Sequence, residues 1–210
     1  LRYCSGDDEP RDWSGGVSYG ASWTRLRLTA NSATTEAVFR KQAVTASVER
    51  RVGDRWTLGG MLGSTTTGTL DAYGQSFALS AGPLAAFVAS FRALDEGTVR
   101  PFVLLSGSLG ASLSWTSAAN QAHQAMTGID ARLGVAAGKT IAHALTPYLV
   151  ARAFGGPILW SNAGASVVGT DVYHYQLGAG AVLRLGRFDL LVEGVPLGEQ
   201  ALVGGAGMAF

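Results

Sequence analysis

The stretch VRPFVLLSGSLGASLSW, residues 99–115, alternates with a period of two. Val99, Pro101, Val103, Leu105, Gly107, Leu109, Ala111, Leu113 and Trp115 fall on one face, and Arg100, Phe102, Leu104, Ser106, Ser108, Gly110, Ser112 and Ser114 on the other. Successive residues of a strand point to opposite sides, so this is a strand with one oily face. A soluble sheet would answer that face with Lys, Glu and Thr. Here the second face is small and almost uncharged, and the question is which of the two meets water.

Composition narrows the answer. Charged residues are 15% of the chain against 47% hydrophobic, where a soluble domain carries about 25% charged residues. The 16 Lys and Arg nearly cancel the 15 Asp and Glu, so no basic face for nucleic acid is indicated. No window approaches the 18 or so apolar residues of a membrane-spanning helix; PLAAFVASF is soon broken by Arg92 and Asp95. The 29 glycines run through the apolar segments, where each would weaken a helix by about 1 kcal/mol. The remaining way to cross a bilayer is a closed β-barrel, in which every backbone donor and acceptor is paired between strands.

Alternation predicts strands at roughly 16–29, 36–52, 56–68, 81–94, 99–116, 123–138, 145–158, 171–185, 188–195 and 200–210. The fold class expected is all-β: a transmembrane antiparallel up-and-down β-barrel of about ten strands, eight being the smaller count the spacing admits. Residues 1–13 form a polar N-terminal tail and 14–210 the barrel. The connections Gly53-Asp54-Arg55, Asp95-Glu96-Gly97-Thr98 and Gly186-Arg187 are tight turns, whereas DAYGQSFALS and GPILWSNAGASVVGT are longer and polar. Short turns on one rim and long loops on the other describe a barrel with its turns and both termini in the periplasm. Around Gly186-Arg187 the register sets Leu185 against Phe188, Leu183 against Leu190 and Ala181 against Val192 on one face. Arg184 meets Asp189, and Glu193 meets Gly180, on the other. The Val/Leu/Ala face then meets lipid and the Ser/Gly face lines the lumen.

On the luminal parity stand Glu49, Asp130, Arg132, Arg152, His174, Gln176, Arg184, Asp189 and Glu193. Register about a 139–145 turn would bring Asp130 opposite Arg152. Two uses remain open for these charges, a paired plug and the lining of a narrow conduit. Aromatic girdles are expected from Trp56, Tyr148, Phe188 and Phe210 on the turn side and Trp23, Trp115, Tyr173 and Tyr175 on the loop side. Arg25, Arg27 and Arg40 continue the outward parity just beyond Trp23, placed either to snorkel to water or to grip lipopolysaccharide phosphates.

The terminal strand QALVGGAGMAF sets Leu202, Gly204, Ala206, Met208 and Phe210 on one face and ends on Phe210, which resembles the terminal-strand signal of bacterial outer-membrane β-barrel proteins. The resemblance implies an integral protein of the Gram-negative outer membrane, in contact with its lipid and lipopolysaccharide and assembled through that strand by the barrel assembly machinery. The role expected from the residues is structural, interaction or narrow, porin-like, without enzyme activity. Two other classes stay open: an outer-membrane hydrolase of the omptin type with a rim site at Asp171 and His174, and a soluble lipocalin-like barrel with its oily face inside. Asp171 and His174 have opposite parity, and no Ser and His share a strand face as in outer-membrane lipid deacylases. No cofactor and no metal site are indicated, His123 and His143 being turn or loop residues. Glycine-rich LGAGAVLRLG lacks the Gly-Lys-Ser/Thr and helix of a phosphate loop. Cys4 is the single cysteine, and LRYC lacks the small residues expected before a lipid-modified cysteine. The polar CSGDDEPRD lacks the layout of a signal peptide.

Overall fold

The computed structural model describes residues 12–118, 123–162 and 164–210, so all but the end of the predicted polar tail, Cys4 included, lies outside the described residues. The strands are β1 (Trp13–Ala30), β2 (Ala33–Val52), β3 (Trp56–Ala72), β4 (Gln75–Ser80), β5 (Gly82–Leu94), β6 (Phe102–Ser117), β7 (Gln124–Gly138), β8 (Leu145–Gly155), β9 (Ile158–Asn162), β10 (Ala165–Asp171), β11 (Tyr175–Leu185), β12 (Phe188–Gly198) and β13 (Gln200–Ala209). All strand pairings are antiparallel. Three long strands are each interrupted once, at Ala81, at Gly156–Pro157 and at Val172–His174. The ten segments read from alternation are therefore present, with β1 starting earlier than expected and β6 later.

Hydrogen bonds trace two stacked rings. At the end holding Trp13 and Ala209 the order β1-β2-β3-β5-β6-β7-β8-β11-β12-β13 closes through β13 on β1, a ring of ten strands, called here the trunk. At the opposite end β12 and β13 have already turned back at Gly198, and β10 leans across to β1. The ring there runs β1-β2-β3-β4-β6-β7-β9-β10, eight strands, called here the cap. Gly198 makes this step in the wall: its φ is +83°, and a Cβ would lie 1.8 Å from the Tyr175 carbonyl oxygen, so only glycine fits the turn.

The cap corrects an expectation. DAYGQSFALS is no loop: β3 runs to Ala72, Tyr73 and Gly74 turn with φ of 52° and 72°, and β4 resumes at Gln75. GPILWSNAGASVVGT holds most of β9 and β10. Asn31 and Ser32, at φ 46° and 67°, close the β1–β2 hairpin just as tightly. Positive φ at both central residues matches the twist of the flanking strands. Strand pairing continues through these segments, and what changes is the chemistry of each face.

In the trunk the outward residues are apolar: Val17, Val48, Leu62, Phe87, Leu133, Leu149 and Leu202 are all exposed. Leu109 is 65% exposed while Ser108 and Ser112 are turned inward and half-buried, so the odd face of β6 is the outer one. Along β1 the even positions stay inward from Ser14 to Leu28 without a parity break, and their character switches beyond Trp23. Leu26, Leu28, Ala37, Phe39, Leu70, Ala72, Phe77, Leu79, Met126, Trp160 and Val167 pack into one buried cluster inside the cap. Outside it stand Arg25, Arg27, Thr29, Glu36, Arg40 and Ser76, all exposed. The trunk is oily outside and the cap oily inside. Burying each large cap side chain contributes about 1.5 to 3 kcal/mol, as in a soluble core. A second cluster, Phe102, Tyr148, Val150 and Val182, fills part of the trunk's inner end.

Candidate functional site

The trunk interior is the candidate site, built from inward positions of four neighbouring strands, β7, β8, β11 and β12, and from the turn after β12. Arg152 on β8 grips Glu193 on β12 with both guanidinium nitrogens, at 2.7 and 2.9 Å, and the Tyr148 hydroxyl donates to the same carboxylate at 2.9 Å. Glu193 is 6% exposed, and three donors compensate its loss of water. Higher in the lumen, Arg132 on β7 bonds Asp130, reaches Gln176 at 3.4 Å and Glu199 at 3.3 Å, and lies 5.1 Å from the Phe154 ring centroid. Gln176 donates to Glu199 at 2.8 Å. Nearer the inner rim, Arg184 and Asp189 face each other in register, 3.5 Å apart.

This network differs from the one expected in three places. Asp130 does not meet Arg152, which pairs in register with Gly134. The turn closes around Ala142 and His143, both with positive φ, and carries β8 past the predicted register. His174 is exposed rather than luminal, because backbone from Val172 to His174 leaves strand geometry and alternation lapses there; its Nδ1 sits 3.2 Å from the Phe154 carbonyl oxygen. Tyr148, expected in a girdle, is 4% exposed and bonded to Glu193, since it shares the inward parity of Thr146 and Val150. Glu49, Asp130, Arg132, Arg152, Gln176, Arg184, Asp189 and Glu193 do face inward. Glu49 and Asp189 border a hollow of about 180 Å³ on the β13–β1–β2 side, lined by Gly16, Ser18, Ser47 and Gly205.

Beneath the cap core lies a small chamber of about 60 Å³ whose charged walls are Lys41, Asp130, Arg132, Asp171 and Glu199. The Thr24 hydroxyl donates to Asp171 at 3.1 Å. Burial, reinforced by the neighbouring Glu199, pushes the Asp171 carboxyl up to about 6 against the pull of Thr24, Lys41 and Arg132. Asp171 and His174 therefore serve different surroundings, one in the chamber and one outside it. Sequence reasoning missed Glu199, Lys41 and Asp171 as interior groups. Glu199 follows a turn glycine, where no parity could be extended, while Lys41 shares the inward parity of Ala43 and Ser47 and could have been found.

At the rims, Trp56, Phe188 and Phe210 are exposed around the inner end, and Trp23, Trp115, Tyr173 and Tyr175 around the trunk's outer end. Trp13, absent from the expected girdles, joins the inner set, with Arg50 5.3 Å from its ring centroid. Arg25, Arg27 and Arg40 all point outward as their parity required. Arg40 bonds Asp71 at 2.9 Å, and Arg27 stands opposite Glu36 in register.

No family model and no curated protein matches this sequence. Among solved structures, the chain is similar to the translocator domain of the autotransporter NalP from Neisseria meningitidis, with a TM-score of 0.53, 14% identity, and 97% of this chain and 90% of that one covered. It is equally similar to the β domain of the Bordetella autotransporter BrkA, at a TM-score of 0.53 and 14% identity, covering 95% of this chain and 100% of the other. The chain shares the fold of these β domains.

Proposed function

We propose that this chain is an integral β-barrel of the Gram-negative outer membrane, non-enzymatic, with ten strands in the bilayer, its termini on the periplasmic side and a capped lumen, serving a structural or interaction role. The observation that carries this reading is the reversal of polarity along one continuous wall. From Trp13 to Trp23 the outside of β1 is apolar and the inside small and polar; beyond Trp23 the assignment inverts. About 9 to 11 residues of a tilted strand cross a bilayer, and Trp13 and Trp23 stand at the two ends of that span. A lipocalin-like barrel would have the cap's polarity throughout. The porin-like alternative is weakened by the cap core, which fills one end of the lumen, and by the Arg152–Glu193 pair, which occupies luminal space over β11.

Planar-bilayer recording of the purified protein tests the closed lumen. Currents at the noise floor are expected, and sustained porin-sized steps would refute it. In the membrane the barrel's neighbours are lipid and lipopolysaccharide, and Phe210 addresses the assembly machinery. Phe210→Asp is expected to cut outer-membrane yield while barrel already assembled keeps its heat resistance, and unchanged yield would remove that role.

The fold shared with two autotransporter β domains favours a second reading, a translocator barrel. Its lumen would have to admit an extended segment before Arg152, Glu193 and the cap core close. A reporter fused before Leu1 that becomes accessible to protease on intact cells would support this reading, and a reporter always retained inside would exclude it.

A further inference from the structure

Where the ten-strand trunk steps down to the eight-strand cap, the outer wall is notched. The β12–β13 hairpin stops at Gly198, with Gln200 still paired to Trp23, whereas β10 reaches β1 only from Asp171 opposite Leu26 upward. Between them Val172, Tyr173 and His174 leave the sheet, held to it by the Val172 N–H donating to the Arg25 carbonyl at 2.9 Å. The result is an outward-facing hollow of about 560 Å³, bounded by Trp23, Arg25, Arg40, Tyr173, Tyr175 and Leu197. Tyr173 and Tyr175 meet edge to face at 6.2 Å.

The three outward arginines are not equivalent here. Arg40 already shares its charge with Asp71. Arg27 lies opposite Glu36 and outside the hollow. Arg25 stands opposite Val38 and lines the hollow, and among the described residues no acidic side chain comes within ion-pairing distance of it. One uncommitted guanidinium thus opens into a cleft walled by three aromatic rings at the level of the outer belt.

We propose that this notch is a binding site for the phosphorylated sugar headgroup of an outer-leaflet glycolipid, with Arg25 as the phosphate ligand. The inference rests on the outer-membrane reading above. The guanidinium fork matches phosphate oxygens, the aromatic faces suit the C–H face of a sugar, and Leu197 and Trp23 continue into the apolar band where acyl chains run. A bare anion would use only the first of these features, and an anionic glycerophospholipid would leave the rings without a sugar.

The test uses full-length protein in detergent, first shown to run as a heat-modifiable band and to insert into vesicles. Binding of bisphosphorylated lipid A, dephosphorylated lipid A, phosphatidylglycerol and inorganic phosphate is then measured by native mass spectrometry. Arg25→Gln is expected to weaken bisphosphorylated lipid A about tenfold, with Arg27→Gln unchanged and the other three probes bound weakly by every form. Equal losses from Arg25→Gln and Arg27→Gln, no loss from either, or equal binding of phosphatidylglycerol or phosphate would overturn the site. If Arg25→Gln does not fold, Arg25→Lys decides: a clear loss that spares the charge supports the fork, and none refutes it. Failure to insert into vesicles would instead remove the outer-membrane reading, and the site with it.

Discussion

Trunk and cap share β1, β2, β3, β6 and β7 and have opposite polarity. On β2, Val44, Ala46 and Val48 face out and Thr45, Ser47 and Glu49 face in; a few residues earlier Glu36 and Arg40 face out and Ala37 and Phe39 face in. Backbone pairing is uninterrupted across the boundary, from Trp13 opposite Arg50 to Ala30 opposite Ala33. The backbone ladder is thus indifferent to solvent, while the side chains record which solvent each segment meets. In a bilayer the trunk turns most of its apolar groups outward, so apart from the cluster of Phe102, Tyr148, Val150 and Val182 its interior is held by directed bonds such as Arg152–Glu193. In water the cap gains from every leucine it buries, so its interior is held by packing.

The largest effects should come from breaking each interior in its own way. Arg152→Ala leaves the Glu193 carboxylate buried with only the Tyr148 hydroxyl, at an expected cost of about 3 to 5 kcal/mol, whereas Arg152→Met paired with Glu193→Leu removes both charges and should recover most of it. Trp160→Ala hollows the cap beside Phe77, its ring partner at 4.9 Å, and deletes the indole donor to Thr116 at 2.8 Å, again at about 3 to 5 kcal/mol. The two variants should fail differently. Loss of Arg152 lowers the temperature of heat modification, while loss of Trp160 exposes β9 and β10 to added protease with the trunk still resistant. If both fail by one global transition, trunk and cap are a single cooperative unit and the contrast drawn here is only chemical.

A smaller effect maps the boundary itself. Leu109→Arg puts a charge on the outward face of the trunk, where about 2 to 4 kcal/mol is expected at the bilayer midplane. Thr29→Arg, outward in the cap, should be near neutral, and Ser108→Arg, inward in the trunk, should fall between them. Folding yields into vesicles give the order. Should Thr29→Arg prove as damaging as Leu109→Arg, the cap lies in the membrane and the polarity switch needs another cause.

The trunk was legible in the sequence because a lipid-facing strand alternates apolar with small residues, and register followed wherever a turn was as short as Gly186-Arg187. The cap was misread for a definable reason. A segment such as QSFALS presents polar residues on the outward parity, which in a barrel of one polarity looks like a loop; with inside and outside exchanged it is an ordinary half-buried strand. Trp160 fell in such a segment, and its burial depends on the leaning of β10 onto β1, a long-range pairing that no local pattern encodes. Arg184 and Asp189, set opposite each other by a two-residue turn, stand 3.5 Å apart, whereas Asp130 and Arg152 do not meet, since a two-residue shift in the 139–145 turn moves every contact between β7 and β8. Arg25 was picked out by parity alone, and the notch that distinguishes it from Arg27 arises only where Gly198 ends one hairpin.

The smallest expected effect lies at the junction of the two regions. Asp171 ends β10, inside the wall and above the trunk, with its carboxyl pushed up to about 6 by burial and by Glu199. An unfolded chain holds this proton less tightly, near the ordinary carboxylate value of about 4. Below that pH both states are protonated and the group contributes no difference. Between about pH 4 and pH 6 the unfolded state ionises first, so stability falls as pH rises through this window and stays lower above it. Asp171→Asn keeps an oxygen to accept from Thr24 but cannot ionise. It should therefore match the parent at pH 4 and resist heat better at pH 7.5, by about 2 to 4 °C for each kcal/mol relieved. Glu199→Gln removes the like charge but also the Arg132 ion pair at 3.3 Å, so it should lower overall stability while narrowing the difference between pH 4 and pH 7.5. If Asp171→Asn and the parent melt in parallel at both pH values, the chamber already relaxes around the charge, and the seam between cap and trunk carries no electrostatic tension.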